Sequence, residues 1–236
     1  MFKLVRRTEW WYALGWHLMR GVLTVYNRLK VVGVENIPLE GGLLFACNHI
    51  SHLDPPSVGV SVPRRLRFVA KEELFHQFFL GWYLPTVGVI PIKRGAGGNL
   101  MLDKAADAIE KGDAVIMFPE GTRSRTGLPG RAHTGIIVLA ARTGAPIVPV
   151  RISGSYDCMP PGSPFPRPGR IQVSFGPPVK WAQGELDLND RGLMQREAQR
   201  LMETIMSLPG WLPKKVVAAR DQQKEIDKSN STSDAQ

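Results

Sequence analysis

His49 and Asp54 lie five residues apart in the run Asn48-His49-Ile50-Ser51-His52-Leu53-Asp54, closed by Pro55-Pro56. A histidine takes up a proton near neutral pH. A carboxylate on its other ring nitrogen fixes the tautomer and stabilises the imidazolium that forms, so the pair suits general-base chemistry. Five residues do not bring two side chains to one face of a straight helix, and a turn must therefore fold Asp54 back onto His49. Two other uses of the same residues stay open. Asp54 can cap a following helix while His49 satisfies a buried carbonyl. Alternatively, His49, His52 and Asp54 can supply metal ligands from one turn, although His76 and His133 have no spacing that would complete the set.

A second polar cluster, Phe118-Pro119-Glu120-Gly121-Thr122-Arg123-Ser124, joins a glycine hinge to a carboxylate, a hydroxyl and a guanidinium. The planar fork of Arg123 fits a phosphate, Gly121 lets the backbone approach it, and the Thr122 hydroxyl adds a hydrogen bond. Glu120 would orient Arg123 or a substrate hydroxyl. The plainer reading is a surface turn closed by a Glu–Arg ion pair. Lys71 and Arg94 each follow a short apolar run and could complete a phosphate pocket; taken singly, each reads as a solvated charge.

Both clusters need a scaffold that sets them side by side. Short apolar runs predict strands at Val31–Val34, Leu43–Cys47, Leu66–Ala70, Val89–Ile92, Ala114–Phe118, Ile147–Ile152 and Ile171–Phe175. Helical periodicity predicts Asn99–Lys111, Gly135–Arg142 and Asp190–Met206. This alternation implies an α/β layered fold with a mostly parallel sheet flanked by helices. Ala114–Phe118 has no polar alternation, as expected of a central strand covered on both faces. Each polar cluster then follows directly on a buried strand. Met159–Pro168 reads as a loop.

The 236 residues suit one core domain with extensions, and 43% hydrophobic with 22% charged residues excludes collagenous or wholly disordered chains. Cys47 and Cys158 stand outside any CxxC pair, which excludes a disulfide framework or a cysteine zinc site and fits the cytoplasm. The net charge of +9 predicts an anionic partner. Much of the excess lies in residues 1–30, where Lys3, Arg6, Arg7, Arg20, Arg28 and Lys30 face only Glu9. There Trp11, Leu14, Leu18, Val22, Val25 and Leu29 recur at helical spacing, with His17, Arg20, Thr24, Asn27 and Arg28 on the opposite side. Arg20 and Arg28 interrupt a membrane span, and the basic flank with Trp10, Trp11 and Trp16 suits a helix lying at the bilayer interface. The competing fate is packing on its own domain. Glu9 and His17 argue against a cleaved signal peptide. The expected organisation is a membrane-associating helix over 1–30, a catalytic domain over 31–212 and a disordered tail over 213–236. No nucleic-acid motif accompanies the basic charge, so nucleic acid is not an expected partner. A non-catalytic membrane adaptor would leave both polar clusters idle.

The blocks Asn48-His49-x-Ser51-x-x-Asp54, Gly88 to Arg94, Phe118–Ser124 and Ile147-Val148-Pro149-Val150 resemble, in order, those of the glycerolipid acyltransferase family. The similarity covers about residues 31–180 and is nearest to members that acylate 1-acylglycerol-3-phosphate. The resemblance implies His49 as general base toward a substrate hydroxyl, Asp54 orienting and charge-stabilising it, and Arg123 with Lys71 holding the acceptor phosphate. It further implies direct attack of lysophosphatidate on an acyl thioester of coenzyme A or acyl carrier protein, without acyl-enzyme, metal or cofactor. Such an enzyme would work at the cytoplasmic face of a phospholipid membrane. No G-x-S-x-G elbow competes for the role of nucleophile. The stretch Arg131-Ala132-His133-Thr134-Gly135 departs from the lysine-rich sequence usual there, which leaves other lysophospholipids, glycolipids and aminolipids open as acceptors.

Overall fold

A computed structural model describes residues 10–64, 66–71, 89–92, 97–181, 185–219 and 221–222. Seven strands form one sheet: β1 (Lys30–Val32), β2 (Leu43–Cys47), β3 (Leu66–Lys71), β4 (Ile90–Ile92), β5 (Ala114–Met117), β6 (Ile147–Ser153) and β7 (Gln172–Phe175). Their spatial order is β1-β7-β6-β2-β5-β3-β4. All neighbouring pairs are parallel except β6 and β7. Each expected strand is present, Leu43–Cys47 with the expected ends and the others with an end moved by one or two residues. β1 stops early because the chain turns at Gly33 into a 3-10 turn over Val34–Asn36. Phe118 falls just outside β5 and is used in the site instead.

The helices are α1 (Trp10–Tyr26), α2 (Asp54–Gly59), α3 (Gly97–Glu110), α4 (Gly135–Thr143), the single turn α5 (Ser155–Cys158) and α6 (Arg191–Ser207). Every residue of β2 is buried, and its alternate side chains feed two separate cores. Leu44 and Ala46 pack with Val115 and Ile147 against α3, α4 and α6. Leu43, Phe45 and Cys47 pack with Ile116, Val148 and Val150 on the other face, beneath Leu23 of α1 and Val58 of α2. A strand buried on both faces has no polar side, which is why these segments read as uninterrupted apolar runs. Asp190, expected as the first helical residue of α6, is instead its cap, and its carboxylate accepts the Leu193 N–H at 2.8 Å.

The first helix divides its faces differently from the simplest reading of its periodicity. Arg20 and Asn27, on the side opposite the apolar stripe, bond to the domain: the exposed Arg20 reaches the Val60 carbonyl with its guanidinium, and the buried Asn27 amide donates to that of Arg167. Trp16 Nε1 donates to the Gly59 carbonyl at 3.0 Å. Buried carbonyls can recruit polar side chains, so a polar stripe does not by itself mark the solvent side. The apolar stripe is left outside, with Leu14 at 53%, Leu18 at 68% and Val25 at 83% exposure. Among the described residues no helix is long and apolar enough to cross a membrane. At the other end, residues 214–219 are helical and Val216 is buried. The folded part therefore runs past the boundary expected at 212; residues 223–236 lie outside the described ones.

Candidate active site

Three adjacent parallel strands, β6, β2 and β5, end at the same edge of the sheet, the edge where open α/β sheets place their ligand crevice. The residues following β2 make a tight turn into α2. Asn48 pins its start: the Asn48 amide donates to the Ile152 carbonyl and accepts the Ile152 N–H, joining the turn to β6. Pro55 and Pro56 follow Asp54 in the first turn of α2, where a missing N–H costs nothing. The turn brings His49 Nδ1 to 2.9 Å from Asp54 Oδ2. The same oxygen accepts the N–H groups of Ile50 and Ser51, each at 2.7 Å, and Ser155 Oγ donates to Oδ1 at 2.6 Å. Four donors meeting one buried carboxyl group suit its ionised, acceptor-only form. The His49 proton then sits on Nδ1, and the Nε2 lone pair is left free to accept another. Asp54 thus ties its own turn together and holds His49, rather than merely capping α2.

The cluster after β5 lies against this turn. The ring of Phe118 stacks on His49 with centroids 4.0 Å apart, and the Ser124 N–H donates to the His49 carbonyl. Glu120 is 5% exposed, and both its oxygens are occupied: Oε1 accepts the His49 N–H at 2.8 Å and Oε2 the Gly130 N–H at 2.7 Å. Burial pushes the Glu120 carboxyl above its ordinary range, the two backbone donors and His49 pull it back, and the charge of Asp54 adds to the rise. Expected as a substrate-binding or Arg-orienting group, Glu120 joins the two clusters through these backbone bonds, and among the described residues it makes no ion pair with an arginine. Gly121 takes φ +67°, and a Cβ there would press on the His133 ring at 3.2 Å. Gly121 and Thr122 are exposed and Arg123 is half-buried. Among the described residues Arg123 has no carboxylate partner.

Burial lowers the His52 imidazole below its ordinary range, and the charges of Arg123 and of protonated His49 lower it further, against the pull of Asp54. His52 and Arg123 therefore stand close enough to feel one another. Lys71 ends β3, with its backbone opposite Ile92 of β4; its side chain and the whole of Arg94 lie outside the described residues. Among the described residues no three His, Cys, Asp or Glu side chains are grouped to hold a metal ion. The assembly can accept a proton at Nε2, and in the neighbouring cluster it carries a half-buried guanidinium with no carboxylate partner among the described residues. Asn48 and Phe118 lie within the two polar clusters, but sequence reasoning assigned neither a role and found no sign of Ser155, because the partners are far apart in the chain: Asn48 meets Ile152, Phe118 meets His49 and Ser155 meets Asp54.

Residues 28–153 match the family described as Acyltransferase. The chain belongs to the acyltransferase family. Acyltransferase relatives include the chloroplastic 1-acyl-sn-glycerol-3-phosphate acyltransferase LPAT1 of Arabidopsis thaliana, 29% identical over 169 residues, which are 70% of this chain and 47% of that protein. The 1-acyl-sn-glycerol-3-phosphate acyltransferase of Pseudomonas aeruginosa is 33% identical over 187 residues, covering 77% of this chain and 70% of that one. The chain thus spans about half the length of its chloroplast relatives. Its fold matches the crystal structure of the 1-acyl-sn-glycerophosphate (LPA) acyltransferase PlsC from Thermotoga maritima, with a TM-score of 0.65 and 25% identity over 86% of this chain and 85% of that one.

Proposed function

We propose that this acyltransferase moves a fatty acyl group from a thioester of coenzyme A or acyl carrier protein to the free hydroxyl of 1-acylglycerol-3-phosphate, giving phosphatidate for phospholipid synthesis. The observation that carries the reading is the 2.9 Å contact between His49 Nδ1 and Asp54 Oδ2, which leaves Nε2 as the base. Nε2 takes the proton of the acceptor hydroxyl as its oxygen attacks the thioester carbonyl. Asp54 stabilises the imidazolium during that step. Collapse of the tetrahedral adduct breaks the carbon–sulfur bond, and the departing thiolate recovers the proton from His49. The choice of acceptor is supported by relatives named for 1-acyl-sn-glycerol-3-phosphate.

In this reading Arg123, with Lys71 and Arg94, holds the acceptor phosphate, and Gly121 and Thr122 offer backbone and hydroxyl groups to it. Arg123→Ala is expected to raise KM for lysophosphatidate about 10- to 100-fold with a smaller change in kcat, as loss of one charge-assisted phosphate contact predicts. Initial rates over a range of acceptor concentrations measure it. The function itself is tested by transfer from labelled palmitoyl- or oleoyl-coenzyme A to a panel of lysolipids in detergent micelles. Lysophosphatidate as the favoured acceptor supports the proposal. A preference for lysophosphatidylcholine, a glycolipid or an aminolipid would reassign the acceptor and leave the dyad chemistry in place.

The acceptor lives in a bilayer and thioester donors are cytoplasmic, so the enzyme is placed at the cytoplasmic face of the membrane. The exposed stripe of Leu14, Leu18, Val22 and Val25 on α1 supplies the apolar contact, and the basic flank adds attraction to anionic lipid. Leu18→Glu with Val25→Glu is expected to weaken binding to phosphatidylglycerol-containing vesicles by about tenfold or more. Co-sedimentation measures this, and unchanged binding would move the contact elsewhere.

A further inference from the structure

Asp54 receives donors from two directions, and only one of them belongs to its own turn. Oδ2 is met by His49, Ile50 and Ser51, all from that turn. Among the described residues Oδ1 is met by Ser155 Oγ alone, at 2.6 Å and from 101 residues away. Asp54 and Ser155 are both 0% exposed, so solvent cannot replace that donor. The position of Ser155 is set by the chain around it. Gly154 takes φ +80° as it leaves β6, and a Cβ there would collide with the Arg170 carbonyl, so this turn requires glycine. It delivers Ser155 as the first residue of α5, directly beneath the carboxylate. The same turn is fastened on its far side, where Ser51 Oγ donates to the Met159 carbonyl at 2.8 Å. Ser155 lies beyond residues 28–153 and outside every motif discussed above.

We infer that Ser155 is a positioning residue for acyl transfer: its hydroxyl holds the Asp54 carboxylate in the rotation that aims Oδ2 at His49 and draws charge away from that oxygen. The inference rests on His49 acting as the base. An O–H donor to a carboxylate is among the stronger hydrogen bonds in proteins, more so away from water. Without it, Oδ1 is buried with no donor, the carboxylate is free to turn, and its charge concentrates on Oδ2. The dyad then holds its proton to higher pH, and the neutral imidazole needed for catalysis appears later on the alkaline side. The other ionisable groups near the dyad are Glu120 on the His49 backbone, His52 and Arg123 on the open side, and Cys47 beneath, whose thiol is pushed up by burial and by the Asp54 charge. Among the described residues none of them is hydrogen-bonded to Ser155, so replacing it leaves them in place.

The test compares initial rates of the full chain, Ser155→Ala, Ser155→Cys and His49→Ala across about pH 5 to 9, with lysophosphatidate in micelles and palmitoyl-coenzyme A. Ser155→Ala is expected to lose about 10- to 100-fold in kcat, with both KM values within about twofold. The acid limb of its kcat/KM profile should move up by about half a pH unit or more. The thiol of Ser155→Cys is a weaker donor of similar shape and should fall between the two. Transfer surviving in His49→Ala would defeat the base reading, and the role of Ser155 with it. Should His49→Ala be inactive while both Ser155 variants keep the original acid limb, the inference is overturned and the base reading stands. Should Ser155→Ala fail to fold, the limb of Ser155→Cys decides alone, and an unmoved limb overturns the inference.

Discussion

His49→Ala is expected to lower kcat for transfer from acyl-coenzyme A to lysophosphatidate by about 1,000-fold or more, with KM for the acceptor nearly unchanged. General-base catalysis contributes about 100- to 10,000-fold, and no second group in the described site stands where Nε2 does. The Arg123 guanidinium is untouched, so acceptor affinity should persist. Stability should fall modestly. The His49 side chain is 17% exposed, and the loss is its stack on Phe118 and one contact to Asp54, worth together roughly 1–2 kcal/mol. The Ile50, Ser51 and Ser155 donors continue to hold Asp54. Steady-state kinetics and a thermal melt on the same preparation check both parts. A large drop in Tm, or a KM effect with kcat intact, would make His49 a structural or binding residue.

Asp54→Asn has the second large effect, and it differs in kind. An amide brings one acceptor and one donating group to a place where four donors converge, so either the Ser155 hydroxyl must turn round to accept from the NH2 or the backbone N–H groups are left facing it. If the amide oxygen stays toward the backbone, His49 loses the charge that stabilises its imidazolium; if it turns away, the NH2 favours the wrong tautomer. Either arrangement is expected to lower kcat by about 100- to 10,000-fold. This variant loses stability too, by about 1–3 kcal/mol for the buried mismatch, against roughly 1–2 kcal/mol for His49→Ala. The pair of melts orders the two: Tm falls further for Asp54→Asn than for His49→Ala, and the reverse order would mean that Asp54 does not organise the turn.

The frame of this protein was readable in its sequence because the sheet is covered on both sides. Runs such as Leu43–Cys47 and Ala114–Met117 are apolar throughout, so their existence and order follow from hydrophobicity, and the polar clusters that end them fall at one sheet edge. Contacts that span the chain were not readable. Glu120 presents a carboxylate beside an arginine, the pattern of an ion pair, yet its oxygens go to the N–H groups of His49 and Gly130, and backbone donors leave no trace in residue type. Ser155 is one serine among many until β6 lies beside β2. The faces of α1 were legible as faces but not as inside and outside, since Leu23 and Asn27 are both buried while Leu18 and Val25 are not. The helical turn at 214–219 was missed because Val216 and Val217 offer too short an apolar signal among charged residues.

The central claim is that His49 activates the acceptor hydroxyl for direct attack on the thioester. It is tested most directly by mixing labelled acyl-coenzyme A with stoichiometric protein, first without acceptor and then with lysophosphatidate, and following protein-bound label, free coenzyme A and phosphatidate. The account predicts no protein-bound label and no burst of coenzyme A until the acceptor is added, after which phosphatidate and coenzyme A appear together, one for one, and neither appears with His49→Ala. A stoichiometric burst of coenzyme A with label on the protein before acceptor is added, or phosphatidate formed by His49→Ala, would contradict it.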